Sequence, residues 1–211
     1  MSSVAYRSDG AQLATGSYDW TVRLWDALSG MCTHTLKAHR DWVRCVAYSS
    51  DGAQLVSGSG DETVNVWDAK SGLRVRMLAG HADRIRQAVC SPDGDVVAIC
   101  GGSSVIRLWN VKDQQYFDFL EGHQDTVFAV AYRADGQQIV SIANDDTIKV
   151  WDTASHTCIQ SVQTNITRMR QLTYVPNRDW VATDGQNSDA KVWDIKTGKC
   201  IFTLEGHTDF V

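Results

Sequence analysis

Residues Thr63–Asp68 read TVNVWD, and a similar segment returns every 42 residues along the chain. Apolar and polar side chains alternate in this segment, as they do in a β-strand that has one buried face. Its tryptophan recurs with constant spacing, at Trp25, Trp67, Trp109, Trp151 and Trp193. A constant period of this length indicates one supersecondary unit that is repeated five times. We therefore predict that residues 1–211 form a single repeat domain.

Each copy of the repeat contains four short apolar segments. In the second copy these are residues 44–48, 54–58, 63–67 and 73–78, and the pair Asp51-Gly52 separates the first two. Asp-Gly favours a tight hairpin turn because both residues tolerate positive φ angles. A sheet of four such strands is apolar on both faces, and identical sheets stacked around an axis cover each other's faces. The predicted fold is all-β, a β-propeller of five four-stranded antiparallel blades.

Two dipeptides recur with the repeat. Asp follows the repeated tryptophan in four of the copies, and Gly-His occurs at Gly80-His81, Gly122-His123 and Gly206-His207. In these residues the chain resembles the WD-repeat β-propellers over its whole length. Propellers have 4–8 blades, and about seven is the commoner count in this family. Three arrangements therefore stay open: a closed ring of five blades, a slice of a longer propeller, and a ring completed by association of chains.

The resemblance implies a buried hydrogen-bond network in the second blade, formed by His39, Ser57, Asp61 and Trp67. The corresponding residues of the fourth copy are His123, Ser141, Asp145 and Trp151, and the first copy has the partial set Thr15, Asp19 and Trp25. Serine, histidine and aspartate in contact would also be typical of a hydrolase. A nucleophile is needed once, whereas this set recurs. We therefore interpret the set as structural, and we predict no catalytic residue and no enzymatic activity.

Two copies depart from this set. In the third copy, Ile99 and Ser103 stand where the second copy has its serine and its aspartate. In the fifth copy, Asn165 and Asn187 replace the histidine and the aspartate. Because fewer hydrogen bonds would hold these two blades, we predict that their amide protons exchange faster than those of the second and fourth blades.

The resemblance also places on the wide rim of the propeller the positions that flank the start of each inner strand and each turn aspartate. Arginine and aromatic residues occupy many of these positions: Tyr18, Trp20, Trp42, Arg44, Arg84, Arg86, Phe128, Arg168 and Arg170. Arginine and tryptophan are enriched in binding hot spots. Because the chain as a whole carries a net charge of −5, this local concentration of guanidinium groups predicts a surface for carboxylates, phosphates or an acidic peptide.

These observations predict a non-enzymatic scaffold or adaptor that binds acidic or phosphorylated partner proteins or peptides within a multiprotein complex. One alternative is an RNA- or ribonucleoprotein-associated module, because arginine with interleaved aromatic residues suits single-stranded RNA. Nucleic acid is the less favoured ligand, since the chain offers no second basic patch. The other alternative is a substrate-receptor adaptor of a ubiquitin ligase. Trp67–Lys70 and Trp193–Lys196 are loosely similar to the Trp-Asp-x-Arg motif of that subgroup.

We expect no cofactor and no metal ion, because the six cysteines form no Cys-x-x-Cys pair and the sequence contains no phosphate-binding loop. No uninterrupted apolar run approaches the length of about 18 residues that a membrane-spanning helix needs. The first residues, MSSVAYRSDG, lack the basic and apolar blocks of a secretory signal. We therefore expect no membrane association and a cytoplasmic location, with a nuclear location as the alternative.

Overall fold

The computed structural model describes residues 2–78, 83–111, 115–166, 169–175, 178–184 and 189–207. These residues form twenty β-strands, arranged in five antiparallel sheets of four strands each. In every sheet, neighbouring strands are also neighbours in the chain. The all-β fold with five four-stranded sheets is thus confirmed. The three arrangements, a closed ring of five blades, a slice of a longer propeller and a ring completed by association of chains, all stay open. The organisation of the chain as a single domain stays a prediction.

One sheet corresponds to each copy of the repeat. The first sheet contains β1 (Ser3–Tyr6), β2 (Gln12–Gly16), β3 (Thr21–Asp26) and β4 (Cys32–Lys37), and the second contains β5 (Val43–Tyr48), β6 (Gln54–Ser59), β7 (Val64–Asp68) and β8 (Arg74–Leu78). The third contains β9 (Ile85–Cys90), β10 (Val96–Gly101), β11 (Ile106–Asn110) and β12 (Gln115–Leu120). The fourth contains β13 (Val127–Tyr132), β14 (Gln138–Ala143), β15 (Thr147–Asp152) and β16 (Cys158–Gln163). The fifth contains β17 (Leu172–Tyr174), β18 (Trp180–Asp184), β19 (Ala190–Asp194) and β20 (Lys199–Leu204).

The repeated tryptophan lies on the third strand of each sheet. In the first, second, fourth and fifth sheets, the pairing between the third and fourth strands shifts at this residue, for example between Val66 and Trp67. Such a bulge changes the local twist and re-aims the side chain. In these four sheets the indole N–H reaches the hydroxyl of a serine or threonine on the second strand, ten residues earlier in the chain.

Two compact units make up the chain: residues 1–102 with 108–117, and residues 103–107 with 118–211. In the first unit, Leu24 of the first sheet belongs to the same buried core as Leu55 of the second sheet. In the second unit, Ile148 of the fourth sheet shares a buried core with Val181 of the fifth sheet. Consecutive sheets within each unit therefore cover each other's apolar faces, as the two-faced apolar pattern of the strands requires.

Candidate partner-binding surface

A hydrogen-bond network joins the second sheet to the segment that precedes it. Trp67 donates its indole N–H to Ser57 Oγ at 2.8 Å, and Ser57 Oγ lies 2.8 Å from His39 Nε2. His39 Nδ1 lies 3.1 Å from the carboxylate of Asp61. Because a carboxylate can only accept, Nδ1 carries the ring proton and Nε2 accepts from the serine hydroxyl. The four side chains thus form one directed chain of hydrogen bonds from the indole to the carboxylate.

Asp61 is held by further donors at the end of this chain. Thr63 donates its hydroxyl to the carboxylate at 2.6 Å, and the backbone N–H of Arg40 donates at 2.7 Å. Burial alone would raise the pKa of the Asp61 carboxyl, but the hydrogen bonds from His39, Thr63 and Arg40 outweigh it and hold this pKa well below its usual range. Asp61 is therefore an ionised acceptor at neutral pH.

The fourth sheet repeats the same network. Trp151 donates to Ser141 Oγ at 2.8 Å, Ser141 Oγ lies 2.7 Å from His123 Nε2, and His123 Nδ1 lies 2.9 Å from Asp145. The backbone N–H of Gln124 donates to the same carboxylate at 2.8 Å. Burial lowers the pKa of His123, and this effect exceeds the opposing effect of the Asp145 carboxylate. A neutral imidazole therefore links the serine to the aspartate.

The two serines are not placed for nucleophilic chemistry. Ser57 and Ser141 have no solvent-exposed surface, and each hydroxyl already contacts an indole and an imidazole. A catalytic serine has to reach a substrate carbonyl that lies beside oxyanion donors. The geometry instead ties the second and third strands of a sheet to the loop before that sheet, as a structural network does.

The first sheet contains only part of the network. Trp25 donates its indole N–H to Thr15 Oγ1 at 2.9 Å. Asp19 is exposed, and its carboxylate accepts from the hydroxyl and the backbone N–H of Thr21, two residues further along the chain. The structure therefore brings Thr15 and Trp25 together as predicted, whereas Asp19 caps its own turn.

The fifth sheet keeps more hydrogen bonds of the network than we expected from the asparagines at its histidine and aspartate positions. Trp193 donates its indole N–H to Thr183 Oγ1 at 3.1 Å; Asn187 lies outside the described residues. The neighbouring buried residue Asp184 accepts from the backbone N–H groups of Arg170, at 2.7 Å, and Gln171, at 3.0 Å. Burial raises the pKa of Asp184 despite these hydrogen bonds. A carboxylate therefore holds the start of the inner strand in this sheet.

The third sheet lacks the hydroxyl that the others offer. The indole N–H of Trp109 is buried and has no hydrogen-bond partner among the residues that the structure describes. Ile99 occupies the corresponding position of the second strand and is itself buried. The Trp109 ring meets Tyr116 edge-on, with the ring centres 5.0 Å apart and the planes at 79°. Among the described residues, the Trp109 indole ring is therefore held by apolar and aromatic contacts, without a hydrogen bond from its N–H.

Predicted partner-binding residues of the first unit meet at one surface. The ring centres of Tyr18 and Trp42 lie 4.9 Å apart, with the planes tilted by 49°. The guanidinium carbon of Arg44 lies 5.6 Å from the centre of the Trp42 ring, within the range of a cation–π contact. Tyr18 is 55% exposed and Trp42 is 45% exposed. Two large aromatic side chains are therefore presented to solvent side by side, and a half-buried guanidinium group lies against one of them.

This aromatic pair continues into an open cleft of about 350 Å³. The cleft is lined by three arginines, two acidic residues and a glycine: Arg44, Arg84, Arg86, Glu62, Asp83 and Gly102. The Nε–H of Arg44 is buried and has no hydrogen-bond partner among the described residues. The three guanidinium groups exceed the two carboxylates by one charge. We refer to Tyr18, Trp42, Arg44, Arg84 and Arg86 as the arginine-aromatic surface.

Trp20 lies in a strained turn and is near Tyr18 of this surface in sequence. Its φ angle is +70°, and the corresponding residues Glu62 and Asp146 also have positive φ angles, of 67° and 60°. A bulky side chain is uncommon in this left-handed region, which costs about 1 kcal/mol or more. Trp20 is half exposed, so the turn holds an apolar side chain toward solvent, two residues from Tyr18.

The remaining predicted binding residues belong to the second unit. Phe128 is half-buried and packs against the core of that unit. Arg170 is exposed, and its backbone N–H binds Asp184. Arg168 lies outside the described residues. Phe128 thus packs partly against the core of this unit, and its role in partner binding stays a prediction.

We also searched the described residues for other kinds of site. Within the described ranges, no group of three or more His, Cys, Asp or Glu side chains is arranged to hold a metal ion. Over the same residues, no helix has the length and apolar character needed to cross a membrane. Burial raises the pKa of the Cys45 thiol to about 12, so this cysteine is a protonated core residue at neutral pH.

The strand pattern and the tryptophan networks can be compared with known families. A family model described as "WD domain, G-beta repeat" matches four consecutive segments of the chain, residues 1–26, 30–68, 72–110 and 114–152. These segments make up more than half of the sequence. The chain belongs to the WD-repeat family. WD-repeat domains are typically non-catalytic and generally serve as protein-interaction scaffolds.

Individual relatives align with this WD-repeat chain over about one repeat. Nuclear distribution protein PAC1 of Cryptococcus neoformans is 55% identical over 38 residues, which are 18% of this chain and 9% of that protein. Dynein assembly factor with WD repeat domains 1 of Xenopus laevis is 44% identical over 41 residues, 19% of this chain and 10% of that protein. Cell division control protein 4 of Saccharomyces cerevisiae is 51% identical over 37 residues, 18% of this chain and 5% of that protein. The aligned segments thus span a tenth or less of each relative.

The predicted binding and network residues of this WD-repeat chain leave out three residues that the structure places at these sites. Glu62 and Asp83 line the arginine cleft, although neither was among the predicted binding residues. Glu62 directly follows Asp61 in the chain, and Asp83 directly precedes Arg84, so a search for charges beside the predicted residues would have found both. Asp184 was missed because its counterpart in the second copy is Gly58, which has no side chain.

Proposed function

We propose that this WD-repeat protein is a non-enzymatic scaffold that binds an acidic or phosphorylated segment of a partner protein on the arginine-aromatic surface. The observation that carries the proposal is the continuity of two exposed aromatic rings with a cationic cleft. Trp42 contacts both Tyr18 and Arg44, and Arg44 lines the cleft together with two further arginines. This surface lies wholly within the first unit of the chain.

The aromatic part of the surface is suited to supply affinity. Tyr18 and Trp42 expose about half of their area, and burying such area contributes roughly 25 cal/mol per Å². The two rings already contact each other, and Arg44 lies over one of them. Because these side chains are held before binding, a partner would lose less side-chain entropy on ordering them. Exposed tryptophan, tyrosine and arginine are the typical composition of a hot spot.

The cleft is suited to supply specificity. A guanidinium group binds a carboxylate or a phosphate through two parallel hydrogen bonds, which fix the direction of approach. Glu62 and Asp83 line the same cleft, so an anion placed against them would be repelled. A partner is therefore favoured when its acidic groups approach the arginines and its backbone N–H groups approach the two carboxylates.

The names of the relatives agree with a role in a multiprotein complex. One relative is described as a nuclear distribution protein and another as a dynein assembly factor. Since the similarity extends over one repeat, we take from it only the general role and name no shared partner. We extend the proposal to a cytoplasmic protein that contributes one binding surface to a larger assembly.

The proposal is tested by fluorescence anisotropy with defined probes. A labelled hexaglutamate peptide and a doubly phosphorylated serine peptide represent the two acidic ligands, and hexalysine serves as the unfavourable peptide. We expect Arg84→Glu and Trp42→Ala each to weaken binding of the acidic peptides by about tenfold or more, as truncation of a hot-spot residue does. Raising the salt concentration should weaken the arginine contacts as well.

Arg74→Glu is the matched control, because it makes the same charge change at an exposed position on β8, outside the cleft. This control should bind the acidic peptides as the wild type does. If Arg84→Glu and Arg74→Glu had equal effects, overall charge would explain the binding and the proposed surface would be wrong. Tighter binding of a ten-nucleotide uridine RNA than of either acidic peptide would also contradict the proposal.

A further inference from the structure

A second recess lies in the other unit, where β13 and β17 end. It has a volume of about 310 Å³ and is lined by a mixture of aromatic, apolar and charged residues, including Tyr132, Arg133, Asp135, Tyr174, Val175 and Arg178. This volume is at the lower end of the range for small-molecule sites. The recess is independent of the arginine-aromatic surface, because all its lining residues belong to the second unit.

The hydroxyl of Tyr174 is the unusual group in this recess. It is buried and has no hydrogen-bond partner among the residues that the structure describes. Burial raises the pKa of Tyr174 above its ordinary value, so the hydroxyl keeps its proton at neutral pH. Buried hydroxyl groups are almost always paired, and an exception calls for an explanation.

The second copy of the repeat shows how this hydroxyl is normally paired. Tyr48 occupies the corresponding position there and donates its hydroxyl to Gln12 Oε1 at 3.0 Å. The counterpart of Gln12 beside Tyr174 is Gln138, whose Oε1 instead accepts from Arg133 Nη1 at 3.4 Å. The same side-chain acceptor is therefore present in both places, but beside Tyr174 an arginine has taken it.

An additional carboxylate accounts for the position of this arginine. Arg133 Nη1 lies 3.1 Å from Asp179, and its Nε lies 3.2 Å from Asp135. Ala53 stands at the position of Asp179 in the second copy, and the counterpart of Arg133 is Arg7 of the first copy, which pairs with Asp9. Asp179 thus draws the guanidinium across the recess and toward Gln138. The tyrosine hydroxyl is therefore left without an acceptor among the described residues.

The charges around the recess indicate the kind of acceptor. Arg133 and Lys196 are both paired with Asp179, and Arg133 also contacts Asp135. Arg178 lies 4.4 Å from the centre of the Trp180 ring and has no carboxylate partner among the described residues. Three cations thus face two carboxylates, which leaves one positive charge. A ligand with a single negative charge would balance it, whereas a phosphate dianion would be repelled by the two aspartates.

We propose that this recess binds a small monocarboxylate that carries an apolar or aromatic body. Tyr174 donates its hydroxyl to one carboxylate oxygen, Arg178 supplies the compensating charge, and Val175 and Tyr132 contact the apolar part. The carboxylate belongs either to a free organic acid or to the C-terminal residue of a peptide. Both sources present the same chemistry to the recess.

Benzoate is the probe, and benzamide is its neutral isostere. Calorimetric titration of the full chain should give saturable binding of benzoate, with binding of benzamide at least tenfold weaker. Tyr174→Phe and Arg178→Gln should each weaken the binding of benzoate by about tenfold or more, the usual effect of losing a hydrogen bond to a charged group. Tyr48→Phe removes a paired hydroxyl in the other unit and should leave benzoate binding unchanged.

Thermal melts separate loss of the site from loss of the fold. Tyr48→Phe should lower the melting temperature because it breaks a hydrogen bond, whereas Tyr174→Phe should not lower it. A peptide with a free C-terminal phenylalanine, compared with its C-terminal amide, identifies the source of the carboxylate. If the free peptide binds more tightly than benzoate, the carboxylate belongs to a peptide. If benzoate binds more tightly, it belongs to an organic acid. Absence of saturable benzoate binding, or unchanged binding by Tyr174→Phe, would overturn the proposal.

Discussion

The second and third sheets place the same tryptophan on the same strand but surround it differently. Trp67 is the first donor in a chain of hydrogen bonds that ends at an ionised aspartate. Trp109 is equally part of a buried core, yet its indole N–H has no partner among the described residues. The burial of the ring is therefore sufficient to position the tryptophan. The polar partners are an additional source of stability, which individual sheets have or lack.

The largest expected effect comes from removing the end of a complete network. Asp61→Ala and Asp145→Ala should each destabilise the protein by about 1–3 kcal/mol, because buried donors lose their acceptor. Asp19→Ala is the control, since Asp19 is exposed and binds within its own turn; it should cost no more than about 0.5 kcal/mol. Urea denaturation measures all three. Equal losses at the three positions would show that the networks add nothing beyond turn formation.

Acid should remove the contribution of the networks. The folded-state pKa of Asp145 lies below its ordinary 3.8, so its contribution is complete above that value and is lost as the pH falls through the folded-state pKa. The folded-state pKa of His123 lies below its ordinary 6.5, so the unfolded chain takes up this proton first and stability begins to fall below that pH.

The corresponding measurement compares the wild type with Asp145→Asn in urea from pH 7 to pH 3. Both proteins should lose stability from about pH 6.5 downward because His123 is present in both. The difference between them should narrow below about pH 3.8, where the Asp145 carboxylate of the unfolded wild-type chain takes up a proton before that of the folded protein does. A difference that stays constant down to pH 3 would indicate that the charge of Asp145 is unimportant.

A smaller effect is expected from supplying the third sheet with its missing acceptor. Ile99→Val shortens a buried side chain and should cost about 0.5–1.5 kcal/mol. Ile99→Thr has the shape of valine but places a hydroxyl where Thr15 and Thr183 bind their tryptophans. Burying an unpaired hydroxyl normally costs a further 1–3 kcal/mol. We expect Ile99→Thr to be at least as stable as Ile99→Val, and a clearly less stable threonine variant would argue against the comparison.

The fold could be predicted from the sequence because its determinants are local and repeated. Each copy carries its own strand pattern, its own turn residues and its own tryptophan, so five copies give the same information five times. The contacts of the second and fourth networks were predictable for the same reason, since the resemblance supplied the partners. The unpaired indole of Trp109 followed from Ile99, which has no hydrogen-bonding atom in its side chain.

The features that could not be predicted from the sequence depend on the conformations of long side chains between neighbouring sheets. The orphaned hydroxyl of Tyr174 arises because Arg133 turns toward Asp179 and Gln138, three residues that no local pattern connects. The half-buried position of Phe128 depends on packing against the core of its unit. The hydrogen bond of the Trp193 indole persists because its acceptor, Thr183, is retained. The asparagines replace only the histidine and the aspartate of the network.

Exchange of the indole N–H protons with deuterated solvent tests the central comparison most directly, because it reports on each tryptophan of the repeat separately. In ¹⁵N–¹H NMR spectra, assigned with single Trp→Phe variants, the signals of Trp67 and Trp151 should persist longest and those of Trp25 and Trp193 should be intermediate. The signal of Trp109 should disappear first, because no hydrogen bond has to break before this N–H exchanges. If the Trp109 signal lasted as long as that of Trp67, the hydrogen-bond partners of the indoles would not determine the relative stability of the sheets. That result would contradict the proposed difference between the second and third sheets.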